Sequence, residues 1–161
     1  MKYALILLAF LGLQCTNTTS AMQHDDLKIH AFRLKPGDDL RAGIVAFVKQ
    51  ENIQAGWVMT CVGSLVQTHL RFANQPIGTK SNGHFEIVSL TGTVSVNGSH
   101  LHLSVSDSLG QTTGGHLLNE NLVYTTAEIV LGESRRHVFT REKDGTTAWE
   151  ELQVRRIHPM K

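Results

Sequence analysis

Cysteine is scarce: the chain holds two, Cys15 and Cys61, among its 161 residues. Cys15 sits in an N-terminal segment that reads as removable, which leaves Cys61 alone in WVMTCVGSLV with no partner for an intramolecular disulfide. Cys61 reads as a small buried hydrophobe, so stability has to come from a packed core. Surplus charge is lacking too. Lys and Arg number 15 against 14 Asp and Glu, and loss of Lys2 with the leader brings them level. That balance speaks against strong attraction to a phosphate backbone. Nor is there a run long enough to cross a bilayer. The apolar stretch YALILLAFLGL ends at Leu13, well short of the roughly 18 residues a spanning helix needs. Internal repeats, heptads, low-complexity segments and a basic tail are also absent.

The N-terminus is a processing signal in form. Met1-Lys2, the apolar run, the polar QCTNTTSA and the small Ala21 follow the order of a secretory signal peptide. Residues 1–21 are expected to be cleaved after Ala21, giving a secreted or periplasmic protein with no transmembrane segment. A lipoprotein anchored at Cys15 is the alternative, but Gln14 stands where a small residue is wanted. The sequon at Asn17 leaves with the leader.

What remains has the composition of an ordinary globular domain, with 41% hydrophobic and 18% charged residues. LKIHAFRLK (27–35) alternates as a half-buried strand does, and Pro36-Gly37 ends it. Asp38 and Asp39 are placed to cap a helix over LRAGIVAFVKQEN, whose Leu40, Ile44, Phe47 and Val48 recur at helical spacing. From Gly56 onward the pattern is strand after strand, punctuated by Gly and Asn-Gly, with Asp144-Gly145 as a second hairpin signal joining FTREK to TTAWEEL. The fold class is therefore α/β of the α+β type: one compact domain, a largely antiparallel central sheet and one main helix packed on it.

Three of nine histidines fall within NGSHLHLSVSDSLGQTTGGHL. A two-residue turn at Asn97-Gly98 pairs Ser95 with His100 and Thr93 with His102. Alternation then places His100, His102, Ser104 and Ser106 on one face and Leu101, Leu103 and Val105 on the other. His116, freed by the bend at Gly114-Gly115, supplies a third imidazole. Three neutral imidazoles suit zinc and leave a fourth position open to water or a ligand; nickel or iron would also accept them. The same rings read equally as polar residues on the wet side of a sheet.

The run NGHFEIVSLTGTVSVNGSHLHLSVSDSLGQTTGGHL resembles the plant and prokaryote conserved (PPC) domain, and the likeness extends from Leu27 to Val154, leaving 155–161 as a tail. Gly83-His84-Phe85-Glu86-Ile87-Val88 is similar to that family's Gly-Arg-Phe-Glu-Ile-Leu motif, with His84 in place of the arginine. His100-Leu101-His102 with Gly114-Gly115-His116-Leu117 is similar to stand-alone prokaryotic members. The resemblance implies a homotrimer with subunit contacts along Gly83 to Val88, and zinc at His100, His102 and His116. It also implies a role on DNA in plant relatives, which carry AT-hooks that this chain lacks.

Three functions follow as expectations: a ligand-binding or interaction module built on zinc, with a small molecule as one class of ligand; a zinc-dependent hydrolase; and a DNA-binding protein, the last opposed by the charge balance. Glu86 is the candidate general base for hydrolysis, against a plain ion pair at a subunit contact, and Glu120 presents the same choice. Asn97 matches a glycosylation sequon as well as a turn. His30, His69 and His137 are assigned no role.

Overall fold

The computed structural model describes residues 27–157. The expected leader, with Cys15, Asn17 and the expected cleavage after Ala21, lies outside the described residues. The elements run β1 (Leu27–Leu34), α1 (Leu40–Gln50), β2 (Gly56–Arg71), β3 (Thr79–Ser95), β4 (Gly98–Ser106), β5 (Thr112–Leu117), β6 (Leu122–Ser134), β7 (His137–Glu142) and β8 (Glu151–Arg156).

The helix forms where its cap and apolar spacing place it. Asp39 is the N-cap, and one carboxylate oxygen accepts from the Ala42 N–H at 2.7 Å. Its other oxygen accepts from the Glu120 N–H, tying the helix start to the entry of β6. Asp38 instead accepts from the Lys35 N–H at 2.7 Å, closing the turn before the helix. Leu40, Ile44 and Val48 are fully buried, and Phe47 stacks on Phe32 of β1 at 3.9 Å between ring centroids.

Six strands form one antiparallel sheet in the order β1-β6-β2-β3-β4-β5. The far strand then returns: β5 also pairs with the end of β2, through Leu70↔Leu117 and Arg71↔His116. Strands β2, β3, β4 and β5 thus close a circuit. Such curvature is available because β2 and β3 are long, at 16 and 17 residues, and carry register shifts between Leu65 and Gln67 and between Ile87 and Ser89. Bulges of this kind bend a strand and sharpen its twist. The core lies between the concave side and α1, filled by Leu65, Leu70, Leu101, Leu103, Val105, Leu117, Ile129 and Leu131. Cys61 is buried at its margin, and burial pushes the thiol up to about 12, as befits an inert hydrophobe.

Two local expectations are corrected. Gly114-Gly115 is no bend: both residues lie inside β5, and neither has a left-handed φ. Their smallness serves close approach, because a Cβ at Gly115 would stand 2.8 Å from the Arg71 carbonyl oxygen. Asp144-Gly145 does not close the last hairpin directly. β7 and β8 do pair, from His137↔Arg156 to Glu142↔Glu151, but residues 143–150 all lie in the connection. Thr146 donates both its N–H and its hydroxyl to the Asp144 carboxylate. The Asp-Gly turn is thus a local feature of a longer loop. β8 continues to Arg156, so Arg155 and Arg156 of the expected tail belong to a strand.

Gly115→Ala should force β5 away from β2. We expect a loss of about 2–3 kcal/mol, measured as a lower urea midpoint.

Candidate metal centre

On β4 the expected alternation is observed. Leu101, Leu103 and Val105 are buried while His100 and His102 face solvent. The register differs from the expected one: Ser95 pairs with Gly98, Thr93 with His100 and Thr91 with His102. Val96 and Asn97, not Asn97-Gly98, therefore occupy the turn. Of these, Asn97 and Gly98, only Gly98 has positive φ, at 138°, so the type I′ geometry is not adopted. Local bonds favour the observed turn, since the Asn97 N–H donates to Ser95 Oγ at 3.1 Å and the Val96 N–H to the Ile53 carbonyl at 2.9 Å. The slip is two residues, and an even slip keeps every side chain on its face. The histidine reading survives for that reason.

β5 supplies the third ring. His116 is the cross-strand partner of His102 on one side and of Arg71 on the other. Ring centroids lie 4.9 Å apart for His100–His102, 5.1 Å for His100–His116 and 5.7 Å for His102–His116. One nitrogen from each ring can be chosen so that all three fall within 4.8 Å of one another. Donors around a tetrahedral zinc ion stand about 3.3 Å apart, and Nε2 of His100 is 3.1 Å from Nε2 of His102. Two such nitrogens repel unless a proton or a cation lies between them. His116 Nδ1 is buried without a hydrogen-bond partner among the described residues, a costly state for a polar atom. The residues present fit a metal ion.

Their charge state fits as well. Burial first, then the His100, Arg71, His102 and Arg41 charges, hold His116 down at about 4. Burial, Arg141 and His102 lower His100, with Glu151 opposing. Neutral imidazole is the form that ligates.

Sequence reasoning missed the roof of this site. The β7–β8 hairpin docks over the turn of β3–β4, where the Phe139 carbonyl accepts from Ser95 Oγ at 3.0 Å and from Asn97 Nδ2 at 3.1 Å. Arg141 reaches Thr93 Oγ1 at 2.8 Å and approaches His100 Nδ1 at 3.5 Å. Gly98 makes room for that arginine, since a Cβ there would meet Arg141 Cγ at 3.1 Å. A smaller recess of about 300 Å³ lies between His100, His102, Arg141 and Glu151. The signal available in the sequence was the charged and aromatic composition of 141–151, which periodicity does not read.

The other candidates lie elsewhere. Glu86 is exposed opposite Ser106, four residues along β4 from His102, about 13 Å at strand rise. It is out of reach of a metal-bound water. Glu120 pairs with Lys80 and lies 3.6 Å from His69 Nδ1. Asn97 is committed to the turn and to Phe139. His84 packs against Tyr124, with centroids 4.4 Å apart. His30 bonds Glu133 at 2.8 Å, His69 the Asn119 carbonyl at 2.9 Å and His137 Ser134 Oγ at 2.8 Å.

A proton taken up at His116 opposes folding, because the unfolded ring titrates near 6.5 and the folded one at about 4. The stability that this neutral ring confers is complete above pH 6.5 and declines as pH falls toward 4. In urea unfolding of metal-free protein, His116→Gln should therefore lose less stability between pH 7 and pH 5 than the wild type does.

Comparison with known proteins agrees with this architecture. The model of the Plants and Prokaryotes Conserved (PCC) domain matches residues 22–135. A bifunctional GlmU protein of Synechococcus sp. (strain JA-3-3Ab) is 42% identical over 131 residues, covering 81% of this chain and 21% of that protein. The chain thus spans about a fifth of the length of the curated relatives it matches. A solved structure from Salmonella cholerae-suis superposes with a TM-score of 0.80 at 38% identity, covering 82% of this chain and 96% of the other. A metal-containing protein from Archaeoglobus fulgidus superposes with a TM-score of 0.67 at 23% identity, covering 78% and 93%. The chain belongs to the Plants and Prokaryotes Conserved domain family.

Proposed function

We propose that this chain is an exported, homotrimeric binding module that holds one zinc ion per subunit through His100, His102 and His116. The convergence of three imidazole donors within 4.8 Å carries the reading. The unpartnered His116 Nδ1 and the environment that holds His116 and His100 toward the neutral form support it. An all-nitrogen set of three favours zinc and leaves a position for an outside ligand; the metal supplies Lewis acidity there when bound. The likeness to a protein described as metal-containing points the same way. A binding role is preferred to hydrolysis because Glu86 of β3, the base offered by the sequence, lies opposite the far end of β4 from the histidines. The DNA role of plant relatives is not extended to this chain, whose charges balance.

Assembly is supported by apolar side chains left exposed on the central strands: Met59, Val62 and Val66 on β2, Val88 on β3 and Tyr124 on β6. Val88 belongs to the Gly83 to Val88 motif, which matches the region of expected subunit contact. Export is supported by the sequence of residues 1–21 alone, and cleavage after Ala21 makes Met22 the first residue of the mature protein.

Metal analysis of purified protein should find one ion per chain, falling below about a tenth in the His100→Ala, His102→Ala double variant; wild type without stoichiometric metal ends this reading. Zinc at 100 times its Kd should add about 2.7 kcal/mol to stability, seen as a rise in Tm that chelator reverses. Light scattering should give three times the chain mass, and Val88→Glu should shift it toward one.

A further inference from the structure

The roof over the histidines starts at β7, beyond the last residue matched by the family model, and it carries charges that metal binding does not require. Arg41 of α1, Arg71 of β2 and Arg141 of β7 face one cleft of about 750 Å³ that also exposes His100 and His116. The hydrogen bonds of Arg41 and Arg141 go to neutral groups, with Glu151 acting on Arg141 electrostatically. Arg41 donates to Asn119 Oδ1 at 2.8 Å and to Ser99 Oγ at 3.5 Å, and Arg141 donates to Thr93 Oγ1 at 2.8 Å. Arg71 lies 5.1 Å over the ring of Trp149. Among the described residues none of the three forms an ion pair.

Lys143 adds a fourth cation to the lining, against the carboxylates of Glu150 and Glu151. Glu151 already accepts from the Thr147 hydroxyl. The balance stays positive before any divalent ion is counted, and like charges gathered in one cleft raise its affinity for an anion. Guanidinium forks match carboxylate and phosphate oxygens in particular. Arg141 has a further reason to turn to such a group. The His100 tautomer that accepts from Arg141 at Nδ1 carries its proton on Nε2, the atom facing His102. With a cation held at Nε2 the ring would carry its proton on Nδ1, and two donors would face each other. The cleft is of small-molecule size, and the Trp149 ring, 64% exposed, offers a flat apolar wall.

We infer that this cleft binds a small molecule bearing a carboxylate or phosphate group, gripped by Arg71 and Arg141, with an oxygen of that group reaching the metal held by the three histidines. The last clause rests on the metal reading; the arginine grip does not.

The test titrates metal-loaded and metal-free protein, at constant ionic strength, with succinate in one arm and inorganic phosphate in the other. Heat and Trp149 fluorescence are followed, and metal content is measured in the same samples. At least one anion should bind saturably, tenfold or more weaker in Arg71→Gln and in Arg141→Gln, with metal content unchanged. Trp149→Phe should abolish the fluorescence change, which assigns that signal to the cleft. The preferred anion identifies the group. Equal binding in both arginine variants, or no saturable binding of either anion to loaded protein, overturns the inference. If the protein holds no metal, the metal centre fails on its own, and metal-free protein that binds neither anion overturns the arginine grip as well.

Discussion

Two backbone pairings between the ends of β2 and β5 hold the site together. Leu70↔Leu117 and Arg71↔His116 turn an open sheet into a closed circuit, and His116 lies beside His102 because that closure sets the path of β5. The pairing tolerates no side chain at Gly115, where the Arg71 carbonyl passes. It also buries Leu70 and Leu117 almost completely, so the hydrophobic effect draws the two strand ends together. The functional side chains lie on the outer surface of a joint sealed by its inner one.

Much of this was legible in the residues because it depends on period two and period 3.6. The Leu101, Leu103, Val105 face, the opposing His100 and His102, the Asp39 cap and the Leu40, Ile44, Val48 stripe need no knowledge of distant partners. The turn at Asn97 was misplaced by a competing local bond to Ser95, yet the error cost nothing at the site, since an even slip preserves facing. Gly114-Gly115 was legible as important and illegible as to why. Glycine signals a need for space or for positive φ, and only the neighbour across the ladder shows which applies.

The roof was not legible. Arg41, Arg71 and Arg141 are separated by long stretches of chain, and each reads locally as a solvated charge. Their convergence depends on where α1 docks, on the curl of β2 and on the β7–β8 hairpin settling over the β3–β4 turn. Long-range juxtaposition of that kind leaves no periodic trace. Glu86 lies away from the imidazoles of its own chain because its motif marks a strand whose register puts it opposite Ser106.

The β7–β8 hairpin touches the circuit largely through hydrogen bonds at Gln54, Thr93, Ser95 and Asn97, whereas the imidazoles are fixed by the ladder beneath. The imidazoles and the Arg141 arm of the proposed anion grip thus reside on different pieces of chain, while Arg71 belongs to the ladder itself. On the proposed reading, changes between 137 and 156 would retune which solute is admitted while His100, His102 and His116 stay put, so one set of donors would serve several clienteles by exchanging its cover.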